Sequence, residues 1–142
     1  MNDEYDLQRF LDAQEPVFET ALSQLCNGRK RSHWMWFVFP QLKGLGHSEM
    51  AQRYGISGRE EALAYLQHPC LGARLESCCS ALLQWRQRSA TEIMGSPDDL
   101  KLRSSMTLFA SVAPQSPLFQ KVIDAFFGGT PDSATVSRLR QG

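Results

Sequence analysis

The sequence predicts an all-α protein, a single domain of about eight to ten helices over residues 1–142. Three observations favour this fold class. Helix start signals, in which a hydroxyl residue precedes proline or lies three positions before glutamate, occur five times. Glycines that suit helix ends occur at four places. Only one segment has the composition of a buried strand, and a lone strand would leave its backbone groups without partners.

These signals divide the chain into short segments with brief connections. The start signals are Ser57 with Glu60, Ser89 with Glu92, Ser96 with Pro97, Ser116 with Pro117 and Thr130 with Pro131, and the end signals are Gly28, Gly55, Gly95 and Gly128. The predicted helices, in chain order, are residues 5–13, 16–27, 33–39, 48–54, 58–67, 70–87, 90–94, 97–112, 117–127 and 131–140.

The clearest helix covers residues 70–87. Its apolar residues alternate in steps of four and three, which predicts one buried stripe along the helix: Leu71, Leu75, Cys78, Leu82 and Trp85. In this interpretation Cys78 is a small core residue, and a redox pair with Cys79 is the alternative.

The ambiguous segment is the run WMWFVF at residues 34–39. Its aromatic and branched residues suit a buried strand, but the sequence offers no second strand to pair with it. We therefore interpret it as a short, fully buried helix that Ser32 caps and that ends before Pro40.

Composition limits the classes of function. Lys plus Arg and Asp plus Glu number 15 each, and 42% of the residues are hydrophobic. This balance argues against nucleic acid as a general partner and against a polybasic membrane surface. The one compact basic patch, residues 29–31, is interpreted as a solvated turn.

We expect a cytoplasmic protein. Residues 1–15 are acidic and polar and contain no apolar core of a secretory signal, so Cys26, Cys70, Cys78 and Cys79 are expected to be reduced thiols. The three histidines show no ligand spacing and there is no CxxC pair, so the sequence predicts no metal site and no cofactor.

A glycine-bearing loop follows the aromatic run. Gly44 and Gly46 permit close backbone approach, and Ser48 then begins a helix whose free N–H groups attract anions. The sequence therefore predicts a phosphate-sized anion site at residues 44–48, with an ordinary tight turn as the alternative.

Aromatic residues near this loop are candidates for the wall of a pocket. Trp34, Trp36 and Phe39 could stack on a flat ring, and Gln41 could hydrogen-bond to the edge of that ring. Tyr54 could form a further part of the wall, beside Trp34 and Trp36. The alternative is that these aromatic side chains only fill the core. His33, beside the tryptophans, is a candidate general acid or base or else a structural residue.

The helix at residues 97–112 carries the candidate catalytic group. At 100° per residue, Lys101 and Ser105 share a face with Leu108 and therefore point towards the core side. A desolvated lysine can act as a nucleophile or base. The alternative is a lysine that lays its stem on apolar surface and keeps its ammonium in water.

Two carboxylates accompany this lysine. Asp98 and Asp99 lie in the first turn, where they complement the helix dipole and where either could pair with Lys101. The sequence leaves open which of them does so.

Three segments together carry a family resemblance: SHWMWFVFPQLKGLGHSEMAQRYGI, YLQHPCLGARL and MGSPDDLKLRSSMTLFASV. They resemble an uncharacterised, mostly bacterial family of small all-helical proteins that is often labelled calpastatin-like. The resemblance covers nearly the whole chain. Calpastatin is a disordered inhibitor, whereas this sequence has a core pattern and helix caps, so the label implies no inhibitor function here.

A remoter similarity, in the general order of the elements, is to the NAD- and ADP-ribose-associated domain (NADAR). Members of that domain resemble N-glycosidases of ADP-ribose derivatives. The similarity implies a helical protein with an aromatic pocket and a catalytic lysine, whose counterpart here would be Lys101.

Two functional hypotheses follow. In the first, the chain is an enzyme with one pocket for a phosphate-containing small molecule, a nucleotide or an ADP-ribose-like compound, whose N-glycosidic bond it hydrolyses with Lys101 as nucleophile or electrostatic stabiliser. In the second, it is a non-catalytic module that buries aromatic side chains against a partner protein. A concave pocket with a shielded Lys101 favours the enzyme, and a flat exposed aromatic patch favours the module.

Overall fold

Ten helices form the regular secondary structure of residues 3–141, the part of the chain that the computed structural model describes. This confirms the predicted all-α class. The helices are α1 Gln8–Gln14, α2 Phe18–Cys26, α3 Met35–Val38, α4 Glu49–Tyr54, α5 Arg59–Gln67, α6 Pro69–Leu83, α7 Ala90–Met94, α8 Asp98–Val112, α9 Pro117–Phe127 and α10 Ser133–Gln141.

The aromatic run is helical, as predicted. The N–H of Phe39 donates to the carbonyl of Met35 at 3.1 Å, and the side chains of α3 are mostly buried. The predicted cap is wrong: Trp34 precedes the helix, and the Ser32 hydroxyl instead accepts a hydrogen bond from Gln24 Nε2 at 2.8 Å. A distant side chain thus takes the oxygen that was expected to cap α3.

The predicted stripe of α6 is buried along the helix. Leu71, Leu75, Cys78 and Leu82 are each at most 1% exposed. Trp85 lies beyond the end of the helix, is half-buried, and donates its indole N–H to the carbonyl of Cys26 at 3.0 Å.

One predicted capping box is confirmed and the other is wrong. The Ser89 hydroxyl accepts from the Glu92 N–H at 3.0 Å, and the Glu92 carboxylate accepts from the Ser89 N–H at 2.8 Å. At α5, by contrast, both the N–H and the hydroxyl of Ser57 donate to Glu61 and not to Glu60. Glu61 is turned inward because its other oxygen pairs with Arg9 at 2.7 Å.

The proline signals locate helices but do not identify their caps. Ser116 precedes α9, as predicted, yet its side chain makes no capping hydrogen bond. Pro97, and not Ser96, immediately precedes α8. α10 begins two residues later than predicted, and Asp132 accepts the N–H of Thr135 at 2.9 Å.

A parallel β-bridge between Leu42 and Ile56 joins the two ends of the segment that contains the glycine loop and α4. The Lys43 N–H donates to the carbonyl of Ile56 at 2.8 Å, and the Ile56 N–H donates to the carbonyl of Gln41 at 2.9 Å. Gly55 permits this approach, since a Cβ there would lie 2.7 Å from Lys43 Cα. Residues 43–55 therefore form a closed loop that positions α4 beside α3.

α8 is the central helix of the core. It packs against α5, α7, α9 and α10, and Leu102, Met106, Leu108 and Phe109 are fully buried. Its first turn emerges from this core and carries Lys101. Among residues 3–141, no helix combines the length and the apolar character that crossing a bilayer requires.

Candidate functional site

A narrow cleft lies between α3, α4 and the first turn of α8. It encloses a cavity of about 10 Å³, which is room for about one water molecule. Its lining residues are Met35, Trp36, Phe39, Gln41, Met50, Ala51, Tyr54, Gly55 and Lys101.

Five of the residues that the sequence singles out meet in this cleft: Trp36, Phe39, Gln41, Tyr54 and Lys101. They come from α3 and the residue that ends it, from the position just before the bridge residue Leu42, from the end of α4, and from α8. Tyr54 is 7% exposed and packs on Phe37, with ring centroids 5.3 Å apart and the ring planes tilted by 60°. The cleft therefore has aromatic walls and one cationic side.

Lys101 lies over the indole of Trp36, with its ammonium 5.3 Å from the ring centroid. The same ammonium is 3.8 Å from Asp98 Oδ1, and the side chain is 29% exposed. The ammonium is thus shielded but not fully buried. Both contacts are typical of a cation: Asp98 forms an ion pair with the ammonium, and the face of the Trp36 ring attracts it.

Asp98 lies between two lysines. Its second oxygen, Oδ2, is 2.8 Å from the ammonium of Lys30, whose side chain is only 7% exposed. Lys30 also donates to the carbonyl of Ser32 at 2.6 Å and lies 5.1 Å from the ring centroid of Trp34. The carboxylate is therefore held by one buried and one partly exposed cation.

Asp99 is turned away from this group. Its carboxylate accepts the hydroxyl of Thr91 at 2.6 Å and the N–H of Leu100 at 2.9 Å. Of the two candidate aspartates, Asp98 is the one that pairs with Lys101.

Two buried polar groups at or near the cleft have no hydrogen-bond partner among the described residues. They are the indole N–H of Trp36 and the hydroxyl of Ser105. Trp36 lines the cavity, whereas Ser105 lies one turn beyond Lys101 inside the core and does not. A buried donor without an acceptor is costly, so the Trp36 N–H is a position where an acceptor would be bound favourably.

The other aromatic candidates do not reach the cavity. Trp34 is 1% exposed, and its indole N–H donates to Gln24 Oε1 at 2.9 Å. It is a core residue whose ring packs behind the cleft on Phe39, with ring centroids 6.2 Å apart. His33 is exposed and does not line the cleft.

The glycine loop borders the cleft without lining it. The Ser48 hydroxyl caps α4 by accepting from the Ala51 N–H at 3.1 Å, and α4 has only six residues. A Cβ at Gly46 would lie 2.9 Å from Ala51 Cβ, so this glycine permits close packing on α4. Gly44 contacts α10, from which Arg138 donates to its carbonyl at 3.2 Å.

The sequence analysis missed Lys30, Met35 and Met50. Lys30 belongs to the basic residues 29–31 that were interpreted as solvated, and Arg29 and Arg31 are indeed exposed. No local pattern distinguishes Lys30 from its neighbours, because its partner Asp98 is far away along the chain. Among the described residues, no group of three or more His, Cys, Asp or Glu side chains is arranged to hold a metal ion.

Comparison with known proteins gives a family and a structural neighbour. Residues 4–139 match the family described as "Protein of unknown function (DUF1810)". The crystal structure of the conserved hypothetical protein Rv1873 from Mycobacterium tuberculosis is similar, with 53% sequence identity and a TM-score of 0.96. The match covers 97% of this chain and 99% of that one. None of the curated proteins matches the chain.

Proposed function

Because the chain belongs to the DUF1810 family of proteins of unknown function, we propose its activity from the cleft itself. We propose that it is a cytoplasmic hydrolase that binds a phosphate-containing nucleotide or ADP-ribose-like molecule and cleaves its N-glycosidic bond. The resemblance of the sequence to NADAR supports this reaction class. The observation that carries the proposal is the Asp98 carboxylate, which is held between Lys30 and Lys101, with the Lys101 ammonium over the face of Trp36.

The roles follow from the chemistry of the reaction. When an N-glycosidic bond is hydrolysed, the bond between the anomeric carbon and nitrogen breaks, and water adds its oxygen to that carbon. Asp98 stabilises the positive charge that develops on the sugar and accepts a proton from the attacking water. Lys101 stabilises the negative charge that develops on a departing purine, whose nitrogen takes up a proton from solvent, and Asp98 returns the proton that it took from water to the solvent. Lys30 holds Asp98 in position.

Lys101 acts through its charge and not as a nucleophile in this proposal. A nucleophilic amine must be neutral and free of anionic partners. Lys101 instead lies near a carboxylate and over an aromatic face, and both contacts stabilise an ammonium ion.

The cleft must widen to admit such a ligand, since its cavity of about 10 Å³ holds no more than a water molecule. Two of its lining side chains can move at small cost. Met50 is half-buried and unbranched, and Lys101 is partly exposed. Their displacement would uncover the Trp36 face and its unpaired N–H, to which an acceptor on the ligand would bind.

The competing hypothesis, a protein-interaction module, requires an exposed aromatic patch. Within residues 3–141 the exposed large hydrophobic side chains are two leucines, Leu63 at 38% and Leu100 at 59%, and no aromatic side chain is among them. This distribution favours the enzyme.

The test is to incubate the protein with ADP-ribose, NAD and nucleoside monophosphates and to measure the released base by chromatography. We expect Asp98→Asn to lower the rate by at least about a hundred-fold, the usual scale for a positioned acid or base. Asp99→Asn is the matched control, because its carboxylate is engaged by Thr91. Equal loss in both variants, or base release that Asp98→Asn leaves unchanged, would contradict the proposed roles.

A further inference from the structure

A second and much larger concavity lies on the other side of the closed loop at residues 43–55. This groove has a volume of about 630 Å³, which is within the usual range for small-ligand sites. It runs between the β-bridge, the start of α5 and the end of α10. No residue lines both the groove and the cleft at Lys101.

Positive charge exceeds negative charge in this groove. Lys43, Arg59 and Arg138 line it together with the carboxylates of Glu60 and Glu61. Glu61 is 3% exposed and is paired with Arg9, which offsets its charge within the protein. Glu60 accepts the hydroxyl of Tyr5 at 3.0 Å. Three cations therefore face one exposed carboxylate.

The glycine loop positions one of these cations. The Arg138 guanidinium lies flat against the loop and donates to the carbonyl of Gly44 at 3.2 Å. A Cβ at Gly44 would lie 2.6 Å from Arg138 Nη2, and its φ of +98° also favours glycine. Gly44 thus permits a contact that fixes a planar, bidentate anion-binding group at the edge of the groove.

The remaining lining is partly apolar. Leu42 and Leu139, which are 5% and 8% exposed, lie beneath the charged rim, and Tyr5 contributes a ring beside Glu60. A ligand that matches this arrangement has an anionic group for the cations and a less polar body for the floor.

We propose that this groove is a binding site for a small organic phosphate. Arg138 and Lys43 bind the phosphate oxygens, and the body of the ligand lies on Leu42 and Leu139. Within the glycine loop, Gly44 contacts Arg138 of the groove, whereas Gly46 packs on Ala51 of α4. It does not depend on the reaction proposed for the cleft.

Titration of ¹⁵N-labelled protein with adenosine 5′-monophosphate, adenosine and inorganic phosphate tests this site. We expect saturable shifts of the backbone amide signals of Lys43, Gly44 and Gly58 with the monophosphate, weaker binding of inorganic phosphate, and no shift at these residues with adenosine. Arg138→Gln and Lys43→Gln should each raise the Kd about ten-fold or more. Arg140→Gln is the matched control, since it removes the same charge from the same helix outside the groove.

Three results would overturn the proposal. The first is that Arg140→Gln weakens binding as much as Arg138→Gln, which would indicate non-specific attraction to charge. The second is that adenosine or inorganic phosphate binds at these residues as tightly as the monophosphate. The third is that no saturable shift occurs at these amides, including the case in which the shifts arise only in α3 and α8; that pattern would support the cleft and reject the groove.

Discussion

At the scale of single residues, Lys30 and Lys101 hold the same carboxylate in different environments. Lys30 is 7% exposed and makes a short ion pair, whereas Lys101 is 29% exposed and lies 3.8 Å from Asp98. We expect Lys30→Met to lower the free energy of unfolding by about 2 kcal/mol, because the contact between the buried Lys30 ammonium and the Asp98 carboxylate is lost. Lys101→Met should change it by less than about 1 kcal/mol. Urea unfolding of both variants measures the difference, and equal losses would contradict this account of the pair.

Gly72 shows how packing reverses an intrinsic preference. Replacing a helical glycine by alanine normally stabilises a helix by about 1 kcal/mol. At Gly72, however, a Cβ would lie 2.1 Å from the carbonyl oxygen of Leu66, a backbone atom that cannot turn aside. We expect Gly72→Ala to destabilise the protein by about 1–3 kcal/mol.

Gly58→Ala is the control for that experiment. Its added Cβ would meet no atom within 4 Å, so its free energy of unfolding should stay within about 0.5 kcal/mol of the wild type. Thermal or urea denaturation compares the two substitutions directly. If Gly72→Ala proved as stable as Gly58→Ala, the close approach of α5 and α6 would be wrong.

At the scale of elements, the start of α7 has a pH dependence that can be measured. The pKa of Glu92 is lowered, chiefly because its carboxylate accepts the backbone N–H of Ser89. Because this pKa is lower in the folded than in the unfolded protein, the ionised Glu92 carboxylate stabilises the fold. Its contribution is complete above the ordinary glutamate pKa and is lost as the pH falls through the pKa of Glu92 in the folded protein. Glu92→Leu should therefore be less stable than the wild type at neutral pH, and the gap should narrow in acid.

The control for this prediction is Glu76→Leu, which removes an exposed glutamate of α6. Among the described residues Glu76 makes no hydrogen bond or ion pair through its side chain. The difference in stability between Glu92→Leu and the wild type could be equal at neutral and at acid pH, or Glu76→Leu could show the same pH dependence. Either result would show that the capping carboxylate is not the cause.

Comparison of the elements with their predictions shows where local sequence is sufficient. Helices are specified by periodicity and by nearby start and end residues, so their number and approximate spans were predictable. Caps were less predictable because long-range partners compete for the same side chains: Arg9 turns Glu61 inward, and Gln24 takes the Ser32 hydroxyl. The helical state of α3 followed from the absence of a pairing strand.

The same distinction applies to the cleft. Trp36, Gln41, Tyr54 and Lys101 were predictable because unusual residue types, an aromatic run and a lysine on an apolar face, marked them in the sequence. Lys30 was not, because its burial depends on a contact between the end of α2 and the start of α8. The groove at Arg138 was also not predictable, since it joins residues from both ends of the chain.

At the scale of the whole molecule, the core protects two thiols. Cys78 and Cys79 are fully buried, and burial raises the pKa of Cys78 to about 12 and that of Cys79 well above its ordinary value. Cys26 is exposed. We expect a thiol reagent to label Cys26 in the native protein and to label Cys78 and Cys79 only after unfolding, because the thiolate is the reactive species. Mass-spectrometric mapping measures this, and native labelling of Cys78 at the rate of Cys26 would contradict the packing of α6.

The central claim is that the cleft between α3, α4 and α8 binds a nucleotide or ADP-ribose-like ligand through Lys101. Thermal denaturation of the wild type, of Lys101→Met and of Lys121→Met, an exposed lysine of α9, with and without ADP-ribose tests it most directly. A ligand at 100 times its Kd stabilises the native state by about 2.7 kcal/mol. We expect the corresponding increase in Tm for the wild type and for Lys121→Met, and its loss in Lys101→Met. An equal increase in all three proteins, or none in the wild type, would contradict it.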